Sequence, residues 1–249
     1  MKNYFHCAAD NVGDRACGPS KYFFKDQLTP SKIDVSRTVA TGSIFGGGLI
    51  FGQIEKIANS NTLEEINSLV AWGVGIPPKG KRDVQVRRVA EQFGLFGTRN
   101  FEWKGELDFV PCSSCMDTAF DTYSKPSHEV VVFAHRKKTP DFVAPEGIPF
   151  LTNSNRPIQE VVDFISSGEV VVTSSYHGVF WAQLLRRKVL CIPFSDKFTT
   201  FEHNPEIASE ANWSRNIKSA KMAPEILEEY REINVKFAQR VDEHWLRNA

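Results

Sequence analysis

Val170-Val-Val-Thr-Ser-Ser-Tyr-His-Gly-Val-Phe-Trp-Ala-Gln-Leu-Leu185 decides how this chain folds. The run Val170 to Thr173 is continuously apolar and β-branched, the pattern of a strand covered on both faces rather than one. Ser174 and Ser175 break it, and from Val179 to Arg187 the residues suit a helix. Strand, polar turn and helix in that order make half of a βαβ unit. In an open α/β sheet such a turn stands at the carboxyl end of a strand, where ligands bind.

The same rhythm extends in both directions. Strands are expected at Val39 to Phe45, Ser68 to Gly73, Glu129 to Ala134, Pro149 to Thr152, Glu169 to Thr173 and Lys188 to Pro193. Helices are expected at Gly13 to Lys25, Asp83 to Phe93, Pro157 to Ser166, Val179 to Arg187 and Pro224 to about Leu246. Alternation of this kind predicts an α/β protein with parallel sheets wrapped by helices. The polar stretch Asp121-Thr-Tyr-Ser-Lys-Pro-Ser-His128 reads as a linker, placing a boundary near residue 125. In the last helix Ile226, Leu227, Tyr230, Ile233, Phe237 and Val241 recur every three or four residues and form one buried stripe.

Length and charge bound the rest. The 249 residues suffice for one large domain or two compact ones, and 41% hydrophobic with 24% charged residues is an ordinary globular composition. Thirty basic residues balance thirty acidic ones, so no overall field draws in nucleic acid or an anionic membrane. The run Met1 to Asp14 lacks the apolar core of a signal peptide, and no segment reaches the roughly 18 apolar residues of a membrane span, so a cytoplasmic protein is expected. Cys7, Cys17, Cys112, Cys115 and Cys191 are odd in number, which favours reduced thiols over a disulfide framework. Cys112-Ser-Ser-Cys115 has the spacing of half a zinc site, but no second pair matches it, so two buried thiols and no metal are expected.

The turn after Thr173 carries the chemistry. Ser174 and Ser175 offer hydroxyls, Gly178 permits close backbone approach, and the amides opening the next helix suit a phosphate or carboxylate. The imidazole of His177 suits proton transfer at a group held there. A helix cap at Ser174 and a packed His177 account for the same residues without function.

Three further segments join this one in a resemblance. Thr173 to Leu185, with Lys188-Val-Leu-Cys-Ile-Pro-Phe194 after it, resembles the signature of the polysaccharide pyruvyl transferase family. Asn11-Val-Gly-Asp14 is similar to that family's Asn-x-Gly-Asp turn, Gly46-Gly-Gly48 to its glycine run, and Trp72-Gly-Val-Gly75 to its Trp-Gly-x-Gly strand end. The resemblance covers about residues 11 to 195. It implies two Rossmann-like lobes arranged as in GT-B glycosyltransferases, with the active site in the inter-lobe cleft. Residues 1–124 would form an N-terminal lobe on the acceptor side, 125–222 a C-terminal lobe on the donor side, and 223–249 a helix packing on the lobes.

It also implies transfer of pyruvate from phosphoenolpyruvate to two hydroxyls of a saccharide, forming a cyclic ketal without a cofactor. His177 matches the family's proposed general acid. Asp14 would orient a sugar hydroxyl or act as base beside Asn11 and Gly13, though helix capping equally explains Asn and Asp there. Gly46, Gly47 and Gly48 would admit a ligand close to the backbone. Trp72 would stack on a sugar ring, with a core tryptophan as the alternative. One branch of the family has Arg where this chain has Ser175, so either the cation for the donor comes from elsewhere, with Arg99, Arg136, Arg156 and Lys197 as candidates, or the donor is different. Arg99 and His135 resemble strand-end residues of the two lobes, and Tyr176 lies within the turn itself. The expected partners are phosphoenolpyruvate and a saccharide, free or lipid-linked, with the protein cytoplasmic or peripheral at the inner membrane surface. The rival readings are a GT-B-type glycosyltransferase using a nucleotide sugar and a catalytically silent saccharide-binding protein.

Overall fold

The computed structural model describes residues 2–6, 10–25, 28–33 and 42–247. Cys7 and positions 39–41 of the first expected strand lie outside them. The chain divides into two compact units, the first drawn from Met1–Ala9, Asp14–Met116 and Glu229–Ala249, the second from Asp10–Gly13 and Asp117–Glu228. Each is an α/β unit built on a parallel sheet.

The first unit holds strands β1 (Lys2–His6), β2 (Leu28–Lys32), β3 (Ile44–Gly46), β4 (Val70–Val74), β5 (Leu95–Thr98) and β6 (Asp108–Phe109), in the spatial order β2-β1-β3-β4-β5-β6. All five pairings are parallel. Side chains alternate across a strand, and both sets here are apolar. Phe45, Ala71 and Val74 enter a core with Phe51, Ile54 and Ile57 of α2 (Phe51–Ser60), Ile66 of α3 (Leu63–Asn67) and Val86 and Val89 of α4 (Asp83–Gln92). Ile44, Val70 and Trp72 enter the opposite core with Phe237, Val241 and Trp245 of the final helix, α7 (Leu227–Arg247). The last helix is therefore part of the first unit's core, rather than a separate layer. It begins at Leu227, three residues beyond Pro224.

One polar residue lies inside the α7 stripe. Asn234 is fully buried, accepts the Trp72 indole N–H at 2.9 Å, and donates to the Pro111 and Tyr230 carbonyls. It satisfies a donor that Trp72 would otherwise bury unpaired.

The second unit holds β7 (His128–Ala134), β8 (Phe150–Thr152), β9 (Gly168–Thr173), β10 (Lys188–Cys191) and β11 (Glu206–Ile207), all parallel, in the order β8-β7-β9-β10-β11. A short antiparallel strand, β12 (Lys221–Met222), pairs with the start of β10. Helices α5 (Ile158–Ser166) and α6 (Tyr176–Leu184) complete the crossovers. Numbered from its own first strand, this order is 2-1-3-4-5, and the first unit repeats it with one strand added. In both units the chain winds first to one side of the opening strand and then to the other, leaving a topological switch point beside it.

The polar stretch after Asp117 joins the second unit through specific ties. Phe120 packs on Trp181, and the Arg187 guanidinium donates to the Ser124 carbonyl at 2.6 Å. The unit boundary thus falls near 117 rather than 125. The helix expected over Gly13 to Lys25 is broken: α1 spans only Val12–Ala16, because Gly18 is extended and Pro19 starts a separate 3₁₀ turn. α6 begins three residues earlier than expected, so His177 sits in its first turn rather than before it. No helix among the described residues is long and apolar enough to cross a membrane.

Replacing Asn234 with leucine strands the Trp72 N–H in an apolar core. The expected loss is about 1–3 kcal/mol of unfolding free energy, the usual cost of an unpaired buried donor. Equilibrium denaturation measures it, and a loss below about 0.5 kcal/mol would show that the indole finds another acceptor.

Candidate functional site

The sequence-selected residues fall into two groups. Asn11, Gly13, His135, Arg136, Ser174, Ser175, Tyr176, His177, Gly178 and Lys197 belong to the second unit, while Asp14, Gly46, Gly47, Gly48, Trp72 and Arg99 belong to the first.

In the second unit the group gathers at the carboxyl ends of β7, β8 and β9, at the switch point. The Thr173 hydroxyl donates to the Phe133 carbonyl at 2.6 Å and accepts the Ser175 N–H at 3.0 Å, extending the β7–β9 pairing past the last ladder bond. Ser174 Oγ accepts the His135 N–H at 2.9 Å and lies 2.6 Å from Thr139 Oγ1. Its hydroxyl ties the two strand ends together and is fully buried, so Ser174 positions the turn. Gly178 also has a packing role. A Cβ there would overlap Thr173 Oγ1 and come within 2.8 Å of the Phe133 ring, so glycine lets α6 lie against the sheet.

His177 is 4% exposed. Its ring lies between Tyr176 (5.6 Å, edge-on) and Trp181 (5.3 Å), and a Cβ on Gly13 would overlap its Nδ1. Gly13 is therefore required by the imidazole, and its own N–H is capped by Asn11 Oδ1 at 3.0 Å. Tyr176 stacks on Phe201 at 4.4 Å. Ser175, the residue before α6, makes no side-chain cap bond to the helix.

His135, half-buried at the end of β7, packs its ring edge-on to Phe194 at 5.3 Å. Burial pushes its pKa down to about 4, and the positive charge of Lys197 adds to the effect. Lys197 Nζ lies 4.3 Å from the Phe194 ring centre and 5.1 Å from that of Phe198. Arg136 is exposed, with its backbone N–H on Asn153 Oδ1, and Arg156 pairs with Glu160 of α5.

Asn153 escaped the sequence reading. It follows β8, its N–H donates to the Ala134 carbonyl, its carbonyl accepts the Val12 N–H, and its Oδ1 accepts the Arg136 N–H at 3.0 Å. A polar residue directly after a short strand was the available signal.

In the first unit Trp72 is 1% exposed, with its ring on Phe23 and Phe237 and its N–H on Asn234. It is a core residue and offers no face to a sugar. Gly47 and Gly48 take φ of +68° and +67°, a left-handed path that favours glycine, and a Cβ on Gly47 would strike Cys17 Sγ. Gly46 ends β3 and is buried. Arg99, beyond β5, is 5% exposed and lies beside Gly75. Its charge acts on Cys17, whose thiol is nonetheless raised by a hydrogen bond with Cys112 and by burial. The Asp14 carbonyl accepts the Cys17 thiol. Asp14, Gly47 and Arg99 thus meet around Cys17 at the carboxyl edge of the first sheet. Cys17, Cys112, Cys115 and Cys191 are buried free thiols. An open groove of about 1000 Å³ elsewhere in this unit is lined by Arg87, Phe96, Lys104, Leu107, Phe109 and Arg240. Two of its arginines pair locally, Arg240 with Asp108 at 2.8 Å and Arg87 with Glu106 at 2.9 Å.

No protein-family model matches this sequence. No curated protein matches it either. A solved structure of a functionally uncharacterized protein from Klebsiella pneumoniae is similar at 15% identity, covering 79% of this chain and 84% of that one, with a TM-score of 0.47. A likeness at that level carries no argument about function.

The depressed His135 pKa makes a signed prediction. Between about 6.5, the ordinary histidine value, and about 4, the unfolded chain takes up a proton that the folded chain refuses, so acidification through this window destabilises the fold. Stability attributable to His135 is full above pH 6.5 and level again below 4. In an NMR titration the His135 ring should show a midpoint near 4, rising in Lys197→Met; a midpoint at 6.5 in the unmutated protein contradicts the assignment.

Proposed function

We propose that the chain is a transferase of the polysaccharide pyruvyl transferase type, of GT-B-like plan, moving a pyruvyl group from phosphoenolpyruvate to a saccharide. The observation that supports this best is the assembly at one switch point of His177, the uncapped start of α6, His135 and the positive charge of Lys197. Phosphoenolpyruvate needs a seat for two anionic groups and a proton for C3. The amides opening α6 suit the phosphate, and Lys197 supplies the cation that Ser175 does not.

In this reading His177 delivers a proton to C3 while a sugar hydroxyl adds to C2. A second hydroxyl of the same sugar then displaces phosphate, and the ketal closes. Burial of His177 suits a donor shielded from bulk water, where a proton passes only to a bound ligand. Its ring is held by Gly13, Tyr176 and Trp181, so its aim does not depend on substrate. The acceptor side is assigned to the first unit, with Asp14 as base and Arg99 as a cation beside the Gly46–Gly48 loop. Trp72 is left out of the site.

Ser175 in place of arginine favours one alternative, a glycosyltransferase whose nucleotide-sugar diphosphate occupies the same helix start.

The test is phosphate release from phosphoenolpyruvate with a panel of glycans. Activity in the unmutated protein and a loss of about 10²–10⁴-fold in His177→Gln, the range for removal of a general acid, are expected. Thermal stabilisation by nucleoside diphosphates and none by phosphoenolpyruvate would transfer the assignment to the glycosyltransferase.

A further inference from the structure

We propose that Asn153 is a ligand-binding residue whose side-chain N–H₂ receives the carboxylate of the small anion held at the carboxyl edge of the second sheet. The proposal deepens the transferase reading and rests on it for the identity of the ligand. Asn153 is 3% exposed. Its backbone is committed on both sides, to Ala134 and Val12. Its Oδ1 must be the atom facing the Arg136 N–H, because only oxygen can accept that bond. The amide orientation is thereby settled, and Nδ2 is the atom left over. It is buried and has no hydrogen-bond partner among the described residues. A buried amide donor in that condition calls for an acceptor from outside the chain.

Its surroundings say what kind. Among the described residues, two other buried polar atoms on the same edge lack partners: His135 Nδ1 beyond β7 and Ser195 Oγ beyond β10. Four contacts link Asn153 and His135, though not Ser195, into a ring with Ser174 and His177. The His135 N–H meets Ser174 Oγ, the Arg136 N–H meets Asn153 Oδ1, the Asn153 carbonyl meets the Val12 N–H, and Gly13 lies against His177, which follows Ser174 by three residues. Asn153 and His177 therefore border the same patch at the β7–β9 switch point, on its β8 and β9 sides. A donor amide on an edge where the Lys197 charge also acts suits an acceptor group carrying negative charge. With the start of α6 assigned to phosphate, the carboxylate is the group that remains.

Pyruvate, a carboxylate without phosphate, probes this subsite, and phosphoenolpyruvate probes the whole site. In ¹⁵N spectra of the full chain, the Asn153 side-chain N–H₂ pair should shift on titration with either. N153D keeps an acceptor for Arg136 but replaces the donor with a second oxygen. It should weaken both ligands about tenfold or more, the loss expected for one hydrogen bond to a charged group, with inorganic phosphate binding changed by less than about twofold. An N–H₂ pair unmoved by both ligands overturns the subsite whatever the phosphate-release assay shows, as does N153D binding pyruvate as tightly as the unmutated protein. If N153D fails to fold by circular dichroism, the N–H₂ titration decides. A shift with pyruvate but no phosphate release from phosphoenolpyruvate keeps the subsite and overturns the transferase reading.

Discussion

Two hydroxyls at the end of β9 hold the candidate site together. Parallel strands lose their backbone pairing where the chain leaves the sheet, and here Thr173 and Ser174 continue it with side chains, to the Phe133 carbonyl and the His135 N–H. Each bond contributes only about 1 kcal/mol net, but leaving its buried partner unpaired would cost more. Because the strand ends are locked in register, the next peptide can turn directly into α6. His177 is then in the first helical turn, with an orientation set by the sheet.

Glycine completes that geometry at two points for steric reasons. Gly178 brings α6 down onto Thr173 and Phe133, and Gly13 leaves room for the imidazole. A methyl group at either place would displace one of the groups on which the turn depends. The second unit is thus over-determined at its switch point, by hydroxyl bonds below and by aromatic packing of Tyr176, Trp181 and Phe201 around the ring. Such over-determination is what a preorganised site requires.

The charges are arranged with similar economy. His135 is kept neutral by burial and by the positive charges of Lys197 and Lys138. In the first unit Arg99 is buried near a thiol that remains protonated. The units share a winding order but differ in what they gather at the carboxyl edge: imidazoles, hydroxyls and an amide in one, a guanidinium, a carboxylate and a glycine loop in the other.

Local sequence alone determined the α/β class, the strands β7, β9 and β10, and the polar turn at Ser174 and Ser175 that leads into the helix carrying His177. Continuous valine runs and their polar breaks are properties of neighbouring residues. It also placed most of the residues that meet at the second switch point, because strand-end turns are recognisable wherever they occur. It could not assign Trp72, whose ring is claimed by Phe23, Phe237 and Asn234, residues as much as 165 positions away. Nor could it assign Gly178 to packing, Ser174 to a strand clamp, or residues 229–247 to the first unit. Asn153 stayed hidden for the same reason. Whether a buried amide has a partner depends on every chain segment folded around it, and that set of neighbours exists only in the tertiary structure.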